Sequence, residues 1–262
     1  MYLCIVEWKI IHIDETDSTN RWLTSHWDCP SVSNLTRGLS PCEVVHKKNR
    51  HLCVLADYQT AGRGCGTNRW ESERGKNLLF SMLIHPLHVT AVRQFQISMA
   101  ISLAICEALE QYIGDLSIKW PNDIYWRNGK IGGILIENTL HGNVIKDSVI
   151  VVVLNVNQRE FRSDAPNPVS LWQICEHEFN REQLLQDILQ AFDSMMVPSV
   201  LPMLGETYRS KLYRRQGFHP YADSHGAFMA EIVTVEDDGH LVLCDDNGKE
   251  RKYAFKEVQF VQ

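Results

Sequence analysis

The sequence predicts an α+β protein in which a mixed or antiparallel sheet is flanked by helices and a small β domain follows at the C-terminal end. Residues 91–113 carry apolar side chains at helical spacing, which predicts one long buried helix that Thr90 caps and Gly114 ends. From about residue 217 short strands alternate with Asp-Gly and Asn-Gly turns. We therefore divide the chain into a domain of residues 1–214 and a β domain of residues 215–262. Apolar runs predict the strands of the first domain at about 3–13, 53–56, 77–84, 116–120, 124–127, 131–137 and 147–156.

Other segments are predicted from their turn and capping residues. Residues 28–51 are rich in Pro, Ser, Asn and basic residues, which predicts a long irregular connection with a short strand near 43–45. Asn180, with Gln183 three residues later, predicts a capping box that opens a helix to about residue 196. A short helix is expected near 203–214.

Composition limits the classes of protein to which this chain can belong. The formal net charge of −6 argues against a nucleic-acid partner or an anionic membrane surface, since both require a basic face. No apolar run is long enough to predict a membrane span. None of the eight cysteines forms a C-x-x-C pair, so we expect neither a zinc site nor a disulfide framework, and we expect a cytoplasmic protein.

A glycine-rich loop after the predicted strand 53–56 carries the first candidate site. Gly62 and Gly64 lie on either side of Arg63, and such glycines allow the backbone to approach a ligand closely. Arg63 adds a planar cation that suits carboxylate or phosphate, and Trp70 adds an aromatic face. An anion beside a flat ring describes a nucleotide. The same residues also fit a surface hairpin without a ligand.

Two further stretches carry chemistry. Ser18 or Thr19 is a natural helix N-cap, and a helix N-terminus also presents hydroxyl and amide groups to a polar ligand. Asn128-Gly129 predicts a tight hairpin, which places Lys130 at the start of a strand with its ammonium group able to reach a ligand. An exposed lysine at a strand end is the alternative interpretation of Lys130.

Four motifs in this order resemble the signatures of the biotin protein ligase family: S-T-N at 18–20, Q-x-A-G-R-G at 59–64, K-W-P-N-D at 119–123 and G-K-x-x-G-I-L-x-E at 129–137. The resemblance extends over nearly the whole chain. It implies the class II synthetase-like catalytic fold of biotin and lipoate ligases, followed by an SH3-like β-barrel. Because no helix-turn-helix precedes the S-T-N motif, we expect the monofunctional type without a DNA-binding domain.

The resemblance also implies an activity. The protein would use ATP and Mg²⁺ to activate biotin as biotinyl-5'-AMP and would transfer biotin to a lysine of a biotin carboxyl carrier protein, with a homodimer left open. Arg63 and Lys130 would be catalytic, and Asp123 offers Mg²⁺ a ligand although no metal site is certain. Biotin would contact Ser18, Thr19, Asn20, Gln59, Gly62, Arg63, Gly64 and Lys130. ATP would contact Arg63, Cys65, Trp70, Lys119, Asn122, Asp123 and Asn155.

Two departures from the family pattern keep other functions open. Cys65 stands where many members carry an arginine, and Val151 and Val153 stand where the family usually has glycine. A biotin-binding homologue with weakened or lost catalysis therefore remains an alternative, as does a lipoate or octanoate ligase of the same fold. A thiol acyl-transferase that uses Cys65 beside Arg63 is chemically allowed, but no His or Asp partner is evident at that motif.

Overall fold

The computed structural model describes residues 7–26, 50–62, 70–163 and 165–261. These form two compact units, each built from two segments of the chain. The first unit combines Met1–His88 with Ile131–Leu185, and the second combines Val89–Lys130 with Gln186–Gln262. The boundary that we place between residues 214 and 215 stays a prediction.

The described residues contain strands, α-helices and two short 3-10 turns, the latter at Ala91–Arg93 and Leu201–Met203. The strands are β1 Glu7–Thr16, β2 Arg50–Gln59, β3 Leu78–Ile84, β4 Leu116–Lys119, β5 Asp123–Trp126, β6 Gly129–His141, β7 Val144–Leu154, β8 His219–Asp223, β9 Gly226–Val235, β10 Leu241–Asp245, β11 Glu250–Tyr253 and β12 Gln259–Phe260. The helices are α1 Thr19–His26, α2 Phe95–Glu110, α3 Leu171–Cys175, α4 Arg181–Met195 and α5 Leu204–Ser210. Among these helices none has the length and apolar character needed to cross a membrane.

A mixed sheet forms the centre of the first unit. Its strands follow the order β1-β2-β3-β7-β6, in which β1 and β2 run parallel and the other neighbours run antiparallel. Every residue of β3 is buried, as a strand covered on both faces requires. On one face, Leu23 of α1 packs against Val54, Leu83, Val149 and Val151. The mixed sheet flanked by helices confirms the predicted fold class.

The second unit contains the long helix and an antiparallel sheet. Nearly all of α2 is buried, so its role as a core helix is confirmed. Strands β4 and β5 pair antiparallel. The C-terminal sheet has the strand order β11-β10-β9-β8-β12, which agrees with the predicted small β domain. Its predicted turns contain glycines with positive φ, at Gly239 (93°) and Gly248 (78°).

Two predictions of local structure were wrong. Thr90 lies in an extended conformation and makes no side-chain capping bond. Instead, its carbonyl oxygen accepts the N–H of Arg93, so a 3-10 turn comes first and α2 begins only at Phe95. The turn after β5 consists of Arg127 and Asn128 rather than Asn128 and Gly129. Arg127 adopts φ 50° because its N–H and Nε both donate to Asp115, at 3.0 and 2.9 Å.

Other capping and strand predictions have mixed outcomes. The Asn180 side chain accepts the backbone N–H groups of Glu182 and Gln183 at 3.0 and 3.1 Å, which confirms it as the N-cap of α4. A reciprocal capping box between Ser170 and Gln173 opens α3 and was not predicted. Strand β8 was not predicted either. The expected strand near 43–45 lies outside the described residues.

Candidate active site

A buried polar cluster joins the start of α1 to β2 and β3. The backbone N–H and the hydroxyl of Thr19 both donate to Oε1 of Gln59, at 2.8 and 3.3 Å. The Ser81 hydroxyl donates to Oγ1 of Thr19 at 2.8 Å. Ser18, Thr19, Gln59 and Ser81 are all buried. Since buried polar groups that satisfy one another hold a single arrangement, this cluster fixes the predicted biotin-binding residues Thr19 and Gln59, and Ser18 is buried at the same helix start.

Asn20, in the first turn of the same helix, uses one of its two side-chain polar atoms in a hydrogen bond. Its Nδ2 donates to Oε2 of Glu137 on β6 at 3.0 Å. Its Oδ1 is buried and accepts no hydrogen bond from the part of the chain that the structure describes. An acceptor in this position suits a ligand that carries an N–H group. Sequence reasoning did not assign Ser81 or Glu137 to the site, although Glu137 closes the G-K-x-x-G-I-L-x-E motif.

The glycine loop is described only at its two ends. Gly62 is buried at the end of β2, and its carbonyl oxygen accepts the N–H of Trp70 at 3.3 Å. This contact closes the loop at its base and leaves Trp70 partly exposed. The predicted site residues Arg63, Gly64 and Cys65 lie outside the described residues, so their roles stay predictions.

Asn155 lies just beyond the end of β7 with one free acceptor. Its backbone N–H donates to the carbonyl oxygen of Ile131 at 2.8 Å, and its Nδ2 donates to the carbonyl oxygen of Val169 at 3.0 Å. The Oδ1 atom is buried and finds no donor among the described residues, and the residue is only 1% exposed. A buried amide oxygen without a partner is costly unless a ligand supplies the donor.

In the second unit, the K-W-P-N-D motif forms the turn between β4 and β5. Lys119 and Asp123 are paired across the hairpin, and the Trp120–Pro121 peptide bond is cis. The Nζ of Lys130 lies 2.7 Å from a carboxylate oxygen of Asp123. The structure thus brings together three of the predicted site residues in this unit, Lys119, Asp123 and Lys130, with Asn122 half-buried in the same turn.

Lys119 lies in an aromatic environment that the sequence did not reveal. Its Nζ is 3.3 Å from the hydroxyl of Tyr125 and lies 5.1 and 5.4 Å from the ring centroids of Tyr125 and Phe260. Burial lowers the pKa of Lys119, and the nearby cations Arg214 and Lys130 lower it further, while Asp123 opposes them. No local pattern links Phe260 to Lys119, because they are far apart in the chain.

Among the described residues, a group of side chains that could bind a metal ion lies outside the K-W-P-N-D turn. Glu236, Asp238 and His240 could hold an ion together, in the turn between β9 and β10. Lys252 already forms ion pairs with Glu236 and Asp238. At the K-W-P-N-D turn Asp123 offers a single carboxylate, which is engaged with Lys130. This donor set fits Mg²⁺ only when phosphate oxygens complete the coordination.

The two valines that stand where the family usually has glycine are part of the core. Val151 belongs to the apolar cluster beneath α1, and Val151 and Val153 are each 7% exposed. Val151 lies opposite Ser81, and Val153 lies opposite Leu79 and Gly133. These side chains therefore contribute to packing next to the Thr19–Gln59–Ser81 cluster.

Comparisons with known proteins agree with this arrangement. A family model described as the biotin/lipoate A/B protein ligase family matches residues 43–157. The bifunctional ligase/repressor BirA of Bacillus subtilis is 28% identical over 214 residues, which is 77% of this chain. The chain spans only 64% of the length of that relative. A biotin–[acetyl-CoA-carboxylase] ligase of Paracoccus denitrificans is 28% identical over 75% of this chain and 85% of its own length.

A solved structure shares the fold. The biotin protein ligase from Aquifex aeolicus, in complex with biotin and ATP, superposes with a TM-score of 0.73 at 23% identity. The match covers 95% of this chain and 97% of that one. Similarity at this level of identity supports the architecture of a mixed sheet with helices and a second, C-terminal sheet.

Proposed function

We propose that this chain is an ATP-dependent ligase that activates biotin as biotinyl-5'-AMP, because residues 43–157 match the biotin/lipoate A/B protein ligase family and a biotin ligase is 28% identical over 75% of the chain. The activated biotin is then transferred to a specific lysine of a biotin carboxyl carrier protein. The four described cysteines Cys53, Cys106, Cys175 and Cys244 are free thiols, which fits activity in a reducing, cytoplasmic compartment.

The observation that carries this proposal is the convergence of two lysines and one carboxylate at the β4–β5 turn. Adenylation brings a carboxylate and a triphosphate together, and fixed cations offset their repulsion. Lys119 and Lys130 are partly buried, where a charge acts more strongly than in bulk water. The pair of Lys130 with Asp123 holds the ammonium group in place before substrates enter.

The chemistry proceeds in two steps. A carboxylate oxygen of biotin attacks the α-phosphorus of ATP, the bond to the β-phosphate oxygen breaks, and pyrophosphate leaves. The amine of the carrier lysine then attacks the acyl carbon, an amide bond forms, AMP leaves and the ammonium proton passes to solvent. Neither step requires a covalent nucleophile of the protein. In this scheme Arg63 and Lys130 stabilise the charge that develops on the oxygens.

The remaining residues recognise the substrates. Ser18, Thr19, Asn20 and Gln59 provide donors and acceptors for the ureido ring of biotin, and we assign Gly62 and Gly64 to the same biotin site. The free Oδ1 of Asn155 accepts from the exocyclic amino group of adenine, and Trp70 covers the base, with Cys65 in the same loop. Mg²⁺ bound to ATP would neutralise phosphate charge, and Asn122 and Asp123 would orient the phosphate chain.

A direct assay tests the proposal. The protein is incubated with biotin, MgATP and a biotin carboxyl carrier domain, and the acceptor is probed with avidin while pyrophosphate release is followed. We expect avidin-reactive acceptor and biotin-dependent pyrophosphate. Lys130→Met and Arg63→Met should each reduce adenylate formation by about 100-fold or more, as removal of an oxyanion-stabilising group does. Lys249→Met is the control, because Lys249 is exposed in the β10–β11 turn.

The family description also names lipoate, and this favours one alternative, a lipoate or octanoate ligase. Replacing biotin by lipoate or octanoate in the same assay decides between the substrates. Pyrophosphate release with lipoate but not with biotin would reject the biotin ligase proposal. Biotin binding without pyrophosphate release would instead indicate a binding protein that has lost catalysis.

A further inference from the structure

The segment that follows α5 forms backbone hydrogen bonds with β4. The N–H of Ile118 donates to the carbonyl oxygen of Lys211 at 2.7 Å, and the N–H of Tyr213 donates to the carbonyl oxygen of Ile118 at 2.9 Å. Ile118 and Leu212 form a parallel bridge. Since Ile118 directly precedes Lys119, this bridge places Arg214 beside the strand end that carries Lys119.

Arg214 is held in a defined position. It adopts φ 59°, an unusual conformation for a residue other than glycine. Its Nη1 donates to the carbonyl oxygens of Val261 and Pro220 at 2.8 and 3.2 Å, and its guanidinium lies 5.3 Å from the ring centroid of Tyr213. A guanidinium has five N–H donors, so Nε and Nη2 retain donors for a ligand.

Aromatic rings connect Arg214 to the surroundings of Lys119. The Tyr213 ring lies 5.2 Å from the ring of Tyr125, whose hydroxyl is 3.3 Å from Nζ of Lys119. Phe260 lies 6.5 Å from Tyr213 and 5.4 Å from Nζ of Lys119. These rings exclude water from one side of the cations and thereby strengthen their attraction for an anion.

The charges of this region are unbalanced. Burial has the larger effect on the pKa of Lys119, and Arg214 and Lys130 both lower this pKa further. The positive charges of Arg214 and Lys130 therefore both repel that of Lys119. Among the described residues, Asp123 is the carboxylate that opposes them there, and it is already paired with Lys130. Like charges at partly buried positions repel one another, and a compact polyanion removes that repulsion.

We propose that Arg214 is a further phosphate-binding residue, which together with Lys119 and Lys130 holds the pyrophosphate portion of a nucleoside triphosphate. This inference rests on the proposed function, because it assigns the cations to the leaving group of adenylation. Arg214 suits the task because its planar fork can donate two parallel hydrogen bonds to one phosphate. It lies outside the four sequence motifs, so motif reasoning did not identify it.

Calorimetric titration with inorganic pyrophosphate tests the inference without any catalytic turnover. We expect the wild-type protein to bind pyrophosphate and Arg214→Met to bind it about tenfold or more weakly, the loss typical of a charge-assisted hydrogen bond. Arg214→Lys should be intermediate, because it keeps the charge and loses the fork. Arg215→Met is the matched control, since Arg215 is the exposed neighbouring arginine, and it should bind like the wild type.

Biotin titration and thermal unfolding of the same variants separate ligand binding from architecture, since Nη1 of Arg214 also holds two carbonyl groups. Unchanged biotin affinity with weakened pyrophosphate affinity supports the inference. Equal pyrophosphate affinity in Arg214→Met and Arg215→Met overturns it, as does a parallel loss of affinity for biotin and pyrophosphate. Arg214-dependent pyrophosphate binding without biotin-dependent pyrophosphate release would reject the ligase function and leave the phosphate site standing.

Discussion

The indole N–H of Trp120 donates a hydrogen bond of 2.9 Å to the carbonyl oxygen of Gly239. Trp120 is the second residue of the K-W-P-N-D motif, and Gly239 lies in the turn between β9 and β10 of the C-terminal sheet. The hydrogen bond therefore links the turn between β4 and β5 to a sheet that begins about 100 residues later in the chain. The C-terminal sheet is accordingly part of the support for the residues that flank Trp120.

Gly239→Ala should destabilise the protein, because the substitution strains the backbone and crowds a neighbouring side chain. Gly239 has φ 93°, and an added Cβ would lie 2.7 Å from Cδ2 of Phe95. Backbone strain and overpacking together should lower the free energy of unfolding by about 3 kcal/mol. Gly248→Ala is the control, since Gly248 has φ 78° with open space around it, and strain alone should cost about 1 kcal/mol. Equal losses in urea denaturation would show that the Phe95 contact is unimportant.

Val151→Ala should show that this valine is a core residue. The side chain is 7% exposed and packs on Leu23 and Val54, so its truncation removes buried methyl groups and leaves a cavity. We expect a loss of about 2 kcal/mol in the free energy of unfolding. Val92→Ala, at a position that is 73% exposed, should change it by less than about 0.5 kcal/mol. A Val151 variant as stable as the wild type would mean that the cluster relaxes around the missing atoms.

Asn155→Ala should raise the KM for ATP by roughly tenfold and leave biotin affinity unchanged, because it removes the amide oxygen that we propose as the acceptor for adenine. Asn157→Ala is a matched control two residues along. Both side-chain atoms of Asn157 are already bonded to the backbone of Phe179, at 2.9 and 2.8 Å. The control should lose stability and keep the wild-type KM for ATP in steady-state assays. The same rise in the KM for ATP in both variants would contradict the assignment of Asn155.

Stability should fall as the pH falls from about 6.5 toward 4. Burial lowers the pKa of His51 from 6.5 to about 4, with a smaller contribution from His85. Between these values the unfolded chain binds the proton and the folded protein does not, so stability is greatest above the unfolded pKa and declines below it. Protonation of His51 should lower the free energy of unfolding by up to about 3 kcal/mol.

His51→Phe tests this source of pH dependence. Phenylalanine keeps a ring against Trp8, whose ring centroid lies 4.8 Å from that of His51, and takes up no proton. Urea denaturation at several pH values should show a shallower decline for His51→Phe than for the wild type. His141→Gln, at an exposed position on β6, should follow the wild type. Parallel curves for all three proteins would exclude His51 as the cause.

Local elements of this protein could be predicted because neighbouring residues determine them. The apolar runs of β2, β3 and β7 and the helical spacing in α2 show that these elements are buried, and Asn180 carries its own capping group. The pairing of Lys119 with Asp123 is equally local, since four residues separate them across one turn. Where local prediction was wrong, at Thr90 and at the turn after β5, a competing contact prevailed: a 3-10 turn in one case and Asp115 in the other.

The sequence by itself determined the fold class, the motifs and their order. Only the tertiary structure decided that Ser81 supports Thr19, that Gly239 receives Trp120, that Val151 belongs to the core and that Arg214 lies beside the strand end of Lys119. Each of these contacts joins residues far apart in the chain or selects between the two faces of a strand. Periodicity and spacing carry no information about which distant side chains meet, because that depends on how the sheets and helices pack.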